Sequence, residues 1–269
     1  MYINGQELKI RRYSSGELKL LRSELNKYIT ENKVEILHTN DLSMFELFLI
    51  IDYYNSNNIL VDLILTYLPY QRMDHDGTNE VNTLINVARM LNKACLNSLT
   101  ICEPHSSITD FNNAVEFSYI NHLKHKVFAD IGFDENTDTV ILTDKGGFKR
   151  YGKLSKNIGY FNKVRDKNTG LITHHEIVGN VKTSGKVVIV DDIISSGDTI
   201  INVVNILASK GAKEIYVFCG HFEKNRFNNR LLIHKDVKMI FSTNSLRKKQ
   251  TKKLKLYKTE EIFYGREND

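Results

Sequence analysis

Residues 187–199 read VVIVDDIISSGDT, and this stretch decides the fold. Four β-branched residues, Val187 to Val190, predict a buried strand, and the carboxylates of Asp191 and Asp192 come where it ends. The small residues 195–199 then lead into a helix, whose first N–H groups can bind phosphate. Ionised carboxylates accept hydrogen bonds from neighbouring sugar hydroxyls. The stretch predicts a site for a phosphorylated sugar; the alternative is an ordinary strand–turn–helix connection that contains an Asp pair.

The rest of the chain alternates between predicted strands and helices. Helices that separate the strands by 10–15 residues indicate parallel sheets. The βαβαβ order occurs twice, with a seam between about residues 121 and 137, so we expect an α/β protein with two domains. Strands are predicted at 34–38, 59–67, 98–102, 139–143, 158–161, 187–190 and 214–219, and helices at 42–55, 80–94, 148–154 and 199–210.

Composition limits the class of protein. No apolar run approaches the roughly 20 residues that span a bilayer, and the first twelve residues lack the apolar segment of a signal peptide. Cys95, Cys102 and Cys219 form no CxxC pair, which favours reduced thiols and a cytoplasmic location. The net charge of +5 suits anionic small molecules. The basic segment 247–256 is expected to be a solvated face or edge strand, with neither membrane nor nucleic acid as a partner.

Five further segments stand at predicted strand ends or in loops. In chain order they are YSSGE at 13–17, YQRMD at 70–74, EPH at 103–105, DKGGFKR at 144–150 and KVR at 163–165. With the stretch at 191–199, they resemble the ribose-phosphate diphosphokinase (phosphoribosyl-pyrophosphate, PRPP, synthetase) family. That family shows FSDGE, YARQD, DLH, PDxGGxxR, KxR and VDDxxxTGGT in the same order. The resemblance covers roughly residues 12 to 245.

The resemblance implies a fold of two tandem phosphoribosyltransferase-like domains, each with a mainly parallel sheet flanked by helices. Residues 1–128 would form the ATP-side domain, which the tail at 250–269 could join. Residues 129–249 would form the domain that binds ribose phosphate.

The family transfers the diphosphoryl group of Mg-ATP to the C1 hydroxyl of ribose 5-phosphate, giving PRPP and AMP. This reaction needs positioning and charge neutralisation more than covalent catalysis. By resemblance, Lys163 and Arg165 are catalytic cations that close over the phosphates, and His105 and Asp144 help to hold Mg²⁺. The implied ATP-binding residues are Tyr13, Ser15, Glu17, Arg72, Met73 and His105, and those for ribose 5-phosphate are Asp191, Asp192, Ser195, Ser196, Gly197, Asp198 and Thr199.

Each assignment has a plainer alternative. Lys163 and Arg165 could be surface cations, His105 a core imidazole and Tyr13 a surface aromatic, while Asp144 and the two glycines after it could form a simple turn. The chain also departs from the family pattern. Met73 stands where the family has Gln, and Asp198 stands where it has Gly, which brings a carboxylate near a bound phosphate.

In the family, the loop that corresponds to residues 13–17 reaches into a neighbouring subunit. The resemblance therefore implies that the working unit is a homo-oligomer. A dimer is the minimum, and the family commonly forms hexamers. Two other functions remain open. A phosphoribosyltransferase shares the DD-containing loop but consumes PRPP, and it needs only one such domain. A non-catalytic synthetase-like subunit, or a nucleic-acid-binding regulator, would agree with the basic segment 247–256.

Overall fold

The computed structural model describes residues 1–77, 79–165 and 172–265. The chain forms two compact units. One contains Met1–Phe117 together with the C-terminal segment from Lys258, and the other contains Ser118–Tyr257.

The first unit is built on a six-stranded sheet. The order is β2-β1-β3-β4-β5-β6, with β3 to β6 parallel and β1 antiparallel to both of its neighbours. Its elements are β1 (Tyr2–Ile3), β2 (Gln6–Glu7), α1 (Arg22–Leu25), β3 (Lys33–His38), α2 (Met44–Ser56), β4 (Leu60–Leu65), α3 (Thr83–Lys93), β5 (Ser98–Cys102) and β6 (Ala114–Phe117).

Local sequence explains both long helices of this unit. Helix α2 begins with a capping box, in which Ser43 and Glu46 each satisfy the other's backbone N–H. The predicted apolar stripe of α3 is buried at Leu84, Val87, Ala88 and Leu91. These helices pack with the central strands into one apolar core, which fixes the positions of the loops that follow β4 and β5.

The second unit contains a seven-stranded sheet in the order β13-β12-β11-β10-β7-β8-β9. All its pairs are parallel except β8 with β9. Its elements are α4 (Tyr119–Ile131), β7 (Thr139–Leu142), α5 (Lys145–Tyr151), β8 (Ile158–Arg165), β9 (Ile172–Gly179), β10 (Lys186–Ile194), α6 (Asp198–Ser209), β11 (Glu214–Phe222), α7 (Asn229–Leu232), β12 (Val237–Thr243) and β13 (Leu254–Tyr257). The boundary predicted at 128/129 lies within α4, whereas the two units divide just before that helix.

Strand β10 lies in the middle of this sheet, and Val187 to Val190 are fully buried as the sequence indicates. The prediction that the strand ends at Asp191 is wrong. Pairing with β7 stops at Val190, but pairing with β11 continues through Ile194 opposite Phe222. Both carboxylates therefore lie within the strand, at the point where it loses one of its two neighbours.

Two other predicted elements shift. The helix expected at 148–154 is α5, which begins earlier because the Asp144 side chain accepts a hydrogen bond from the Gly147 N–H and caps it. The strand expected at 158–161 continues to Arg165 because β9 pairs with it. Lys163 and Arg165, predicted in a loop, therefore lie on a strand.

The C-terminal part of the chain contains an edge strand, one of the two expectations for the basic segment 247–256. Leu254 and Leu256 are buried in the edge strand β13, and Lys255 forms an ion pair with Asp130. Helix α8 (Thr259–Tyr264) then belongs to the first unit, where Phe263 packs against Phe117. No helix in the described part of the chain is long and apolar enough to cross a membrane. The predicted α/β fold, with two mainly parallel sheets flanked by helices, is confirmed.

Candidate functional site

The carboxylate pair of β10 is the most unusual feature of the second unit. Asp191 is half-buried and Asp192 is buried. An Asp191 carboxylate oxygen accepts a hydrogen bond from the Asp192 N–H at 3.1 Å, and Asp192 accepts one from the Ile193 N–H at 2.9 Å. Burial and the nearby charge of Asp192 raise the pKa of Asp191 well above its ordinary value, and a hydrogen bond between the two carboxyl groups acts in the same direction. Ionisation of Asp191 is therefore less favourable than that of an ordinary exposed carboxyl group.

Strand β7 and helix α5 supply the neighbours of this pair. A hydrogen bond from Thr143 lowers the pKa of Asp191, which opposes the effect of burial, whereas the charge of Asp144 raises it further. An Arg150 guanidinium nitrogen lies 3.6 Å from an Asp192 carboxylate oxygen. Sequence reasoning assigned Asp144 to this region but gave Thr143 and Arg150 no role. Their only sequence signal is membership of the segment around DKGGFKR.

The loop after β10 forms the start of α6. Gly197 has a left-handed φ of +83° and is the N-cap residue, so the helix begins at Asp198. The first N–H groups of a helix have no carbonyl partner within it, so they are available to an anion. Predicted residues 195–199 thus form a strand–turn–helix cradle directly beyond the carboxylate pair.

Asp198, which stands where the family has Gly, is drawn away from this cradle. Its carboxylate forms an ion pair with Arg230 of α7. A hydrogen bond from Ser196, together with the Arg230 charge, lowers the pKa of Asp198 despite partial desolvation. The expected repulsion of a phosphate is thus countered by a guanidinium 32 residues further along the chain. No local pattern in the sequence signals this pairing.

Lys163 and Arg165 lie in β8, which pairs with β7 on one side and β9 on the other. Lys163 stands opposite His175 in the β8–β9 ladder. The backbone of both residues thus lies in the strand next to β7. The chain continues from the end of β7 into Thr143 and Asp144. Most of the polar stretch predicted after Arg165, at 166–171, lies outside the described residues.

In the first unit, the predicted adenine loop is a tight hairpin. The Tyr13 N–H donates to the Glu17 carbonyl at 3.0 Å, Gly16 has a φ of +90°, and the Ser15 hydroxyl donates to the Glu17 carboxylate at 2.8 Å. The hairpin is anchored to α2 through an ion pair between Arg12 and Glu46. The Tyr13 ring remains 54% exposed, so a flat ligand can stack on it.

The other predicted nucleotide residues follow β4 and β5, which are adjacent parallel strands. Arg72, Met73 and His105 are exposed there. The two loops are joined by hydrogen bonds: the Gln71 carboxamide oxygen accepts from the His105 N–H at 2.8 Å, and the Ser106 side chain bonds to Asp74. The structure therefore brings the YQRMD and EPH segments together, and Gln71 is a residue that sequence reasoning missed.

In the described residues, no group of three or more His, Cys, Asp and Glu side chains could hold a metal ion alone. Mg²⁺ keeps several waters and takes one or two protein carboxylates together with substrate phosphates. The oxygen-rich set around Asp144, Asp191 and Asp192 suits such an ion, because a divalent cation relieves the carboxylate repulsion. A nitrogen ligand such as His105 suits it less well.

Comparison with known proteins agrees with this geometry. The phosphoribosyl transferase domain family model matches residues 111–258. A ribose-phosphate pyrophosphokinase from Sulfolobus acidocaldarius is 30% identical over 220 residues, which cover 77% of this chain and 72% of the relative. One from Fusobacterium nucleatum is 24% identical and covers 95% of this chain and 84% of the relative.

Among solved structures, the phosphoribosylpyrophosphate synthetase from Mycobacterium smegmatis has a TM-score of 0.73 at 20% identity. The match covers 95% of this chain and 87% of that one, so the likeness extends over both units. At this level of identity it supports the fold.

Proposed function

The chain belongs to the ribose-phosphate pyrophosphokinase family, and we propose that it transfers the diphosphoryl group of Mg-ATP to the C1 hydroxyl of ribose 5-phosphate. The products are PRPP and AMP. The observation that carries this proposal is the adjacent carboxylate pair of β10, which lies immediately before the N-terminus of α6. Carboxylates for sugar hydroxyls and N–H groups for a phosphate are the two chemistries that ribose 5-phosphate requires.

In this proposal, Asp191 and Asp192 accept hydrogen bonds from neighbouring ribose hydroxyls. Residues Ser195 to Thr199 hold the 5-phosphate, with the Asp198 side chain kept aside by Arg230. This orientation leaves the C1 hydroxyl free to attack the β-phosphorus of ATP. A new bond forms between the sugar oxygen and that phosphorus, while the O–H bond of the C1 hydroxyl and the bond from the β-phosphorus to the oxygen of AMP break, and the proton passes to solvent. Catalysis then depends on alignment and on neutralising charge.

Lys163 and Arg165 are the proposed source of positive charge for the transferring group, since β8 is next to β7 in the sheet. Asp144 and the β10 pair would hold Mg²⁺, which when bound neutralises phosphate charge. Arg72, Met73 and His105 would contact ATP, and the exposed Tyr13 ring, with Ser15 and Glu17, would receive adenine. A homo-oligomer, with the 13–17 hairpin serving a neighbouring subunit, is part of the same proposal.

The test is product analysis with purified protein, Mg-ATP and ribose 5-phosphate, and no added PRPP. The expected products are AMP and PRPP in equal amounts. A phosphoribosyltransferase would form neither from these reactants, so the absence of AMP, together with PRPP consumption when a nucleobase is supplied, would replace the synthetase by that alternative. Strong, salt-dependent RNA binding without turnover would instead favour the regulator.

A further inference from the structure

Gln71 is a buried polar residue for which the function described above gives no role. Its side chain is fully excluded from solvent, although its neighbours Arg72 and Met73 are exposed. We propose that Gln71 is a positioning residue that fixes the loop carrying His105 for nucleotide binding. The proposal rests on the assignment of Arg72 and His105 to the nucleotide half of the site.

The contact itself is specific. The Gln71 carboxamide oxygen accepts a hydrogen bond from the backbone N–H of His105 at 2.8 Å, across 34 residues of sequence. The His105 side chain is exposed, so the bond to Gln71 holds the backbone of a residue whose side chain lies at the surface. A second bond between Ser106 and Asp74 joins the same two segments.

The Gln71 end of this contact is rigid. Tyr70 is held at a left-handed φ of 64°, and the Met73 N–H closes the turn by donating to the Tyr70 carbonyl at 2.8 Å. The Met73 carbonyl then accepts from the Leu84 N–H of α3 at 3.0 Å. Because α3 packs in the apolar core, its hydrogen bond to the turn also fixes the position of Gln71.

The segment that carries His105 is also attached to the sheet. Glu103 has a left-handed φ of 45°, and its N–H donates to the Phe117 carbonyl at the end of β6. Left-handed conformations are uncommon for residues other than glycine and cluster at functional sites. After Glu103 the chain turns outward to the exposed His105. The bond to Gln71, together with the Ser106–Asp74 bond, therefore ties the backbone around His105 to the loop that follows β4.

The amide nitrogen of the Gln71 side chain argues against a purely structural role. Since only the oxygen can accept from the His105 N–H, the orientation of the amide is determined. The Gln71 nitrogen is then left buried without a hydrogen-bond partner in the part of the chain that the structure describes. An unpaired buried donor is unfavourable for folding. An apolar residue of the same length would pack here without that cost, so the carboxamide is retained for the bond it makes to His105.

The test compares Gln71→Met with Gln6→Met, a control at an exposed position in β2 of the same unit. Methionine keeps the length of the side chain but removes the acceptor. We expect exchange of the His105 amide hydrogen, followed by NMR, to accelerate roughly tenfold or more in Gln71→Met, because its acceptor is lost. We expect the thermal midpoint to stay the same or rise. For Mg-ATP, kcat/KM should fall roughly tenfold or more, because small misplacements cost large factors in rate. The KM for ribose 5-phosphate should stay within about twofold.

Each readout can overturn the proposal. Unchanged His105 exchange would show that Gln71 does not hold this loop, whether or not the protein turns over. Faster exchange with unchanged kcat/KM for Mg-ATP would show that the loop is held without consequence for the nucleotide. A lower midpoint with equal losses for both substrates would indicate a structural role alone. A parent protein that forms no AMP contradicts the proposed function instead, and the exchange experiment still decides the role of Gln71.

Discussion

At the scale of single residues, the two β10 carboxylates lower the stability of the fold but are suited to binding a sugar or a cation. Burial, and after it the charge of the adjacent Asp192, raises the pKa of Asp191, so ionisation of both side chains is unfavourable. A core strand gains nothing from this arrangement. A sugar with neighbouring hydroxyls, or a divalent cation, converts the repulsion into binding. Strained or poorly compensated groups of this kind are expected at functional sites.

Asp191→Asn should therefore stabilise the free protein while weakening ribose 5-phosphate binding. Folding raises the pKa of Asp191 above its ordinary value of 3.8, so its favourable contribution is complete below that pH and is lost as the pH rises through the folded-state pKa. Asparagine does not ionise, so the variant does not lose this stability as the pH rises. Thermal unfolding at pH 8 should show a midpoint a few degrees higher, since about 1 kcal/mol shifts it by roughly 2–4 °C. The difference should shrink towards pH 4.

Asp198→Asn is the matched control, because it changes the net charge equally. Folding lowers the pKa of Asp198 through Ser196 and Arg230, so its contribution is present above the unfolded pKa and is lost as the pH falls. We therefore expect Asp198→Asn to lower the thermal midpoint slightly at pH 8. If both variants shift the midpoint in the same direction, a general charge effect explains the result and the account of Asp191 is wrong.

Single residues also show the limits of reading the sequence. Asp191, Asp192 and the cradle residues could be assigned because they are contiguous and follow an obvious buried strand. The Asp198–Arg230 ion pair and the bond from the His105 N–H to Gln71 join residues more than 30 positions apart. Such contacts depend on which loops lie side by side at neighbouring strand ends. The hydrophobic pattern of the sequence does not predict these loop contacts.

At the scale of elements, long and strongly patterned segments were predictable. Strand β5 has the predicted bounds, Ser98–Cys102, and the apolar stripe of α6 is buried as expected. Strands of two residues, such as β1 and β2, have too few positions to show alternation. The extension of β8 could not be predicted because it depends on pairing with β9, a contact that the apolar pattern of 158–161 does not reveal.

Helix α6 offers a prediction, because it is flanked by two glycines with left-handed φ, Gly197 at +83° and Gly211 at +92°. Alanine at either position costs about 1 kcal/mol in backbone strain. Only Gly197 shapes the cradle, and a side chain there would also touch Leu231. Gly197→Ala should raise the KM for ribose 5-phosphate roughly tenfold.

Gly211→Ala is the control at the other end of the helix, where an added Cβ meets no atom within 4 Å. It should lower the thermal midpoint about as much as Gly197→Ala and leave the KM unchanged. Steady-state kinetics and thermal unfolding of the two variants provide the comparison. Equal effects on KM would mean that helix stability, and not the shape of the cradle, controls substrate binding.

At the scale of the whole molecule, the two units carry different parts of the predicted set of substrate-binding residues. The phosphoribosyl transferase domain match at 111–258 corresponds closely to the second unit, Ser118–Tyr257, which carries the β10 cradle. The first unit carries the YQRMD and EPH segments, and the relatives match it as well. Repeated βαβαβ order made the two-part α/β fold predictable from sequence. The tail at 250–269 was expected as a possible part of the first domain, and the structure groups helix α8 with the first unit and strand β13 with the second.

The fate of the β-phosphorus of ATP tests the central claim most directly. The protein is incubated with Mg²⁺, ribose 5-phosphate and ATP labelled with ³²P at the β position, and the products are separated. Diphosphoryl transfer predicts that the label leaves the adenine nucleotide completely and appears in the diphosphate of PRPP, with unlabelled AMP as the second product. Label retained in ADP would mean transfer of the terminal phosphoryl group alone, and it would contradict the account.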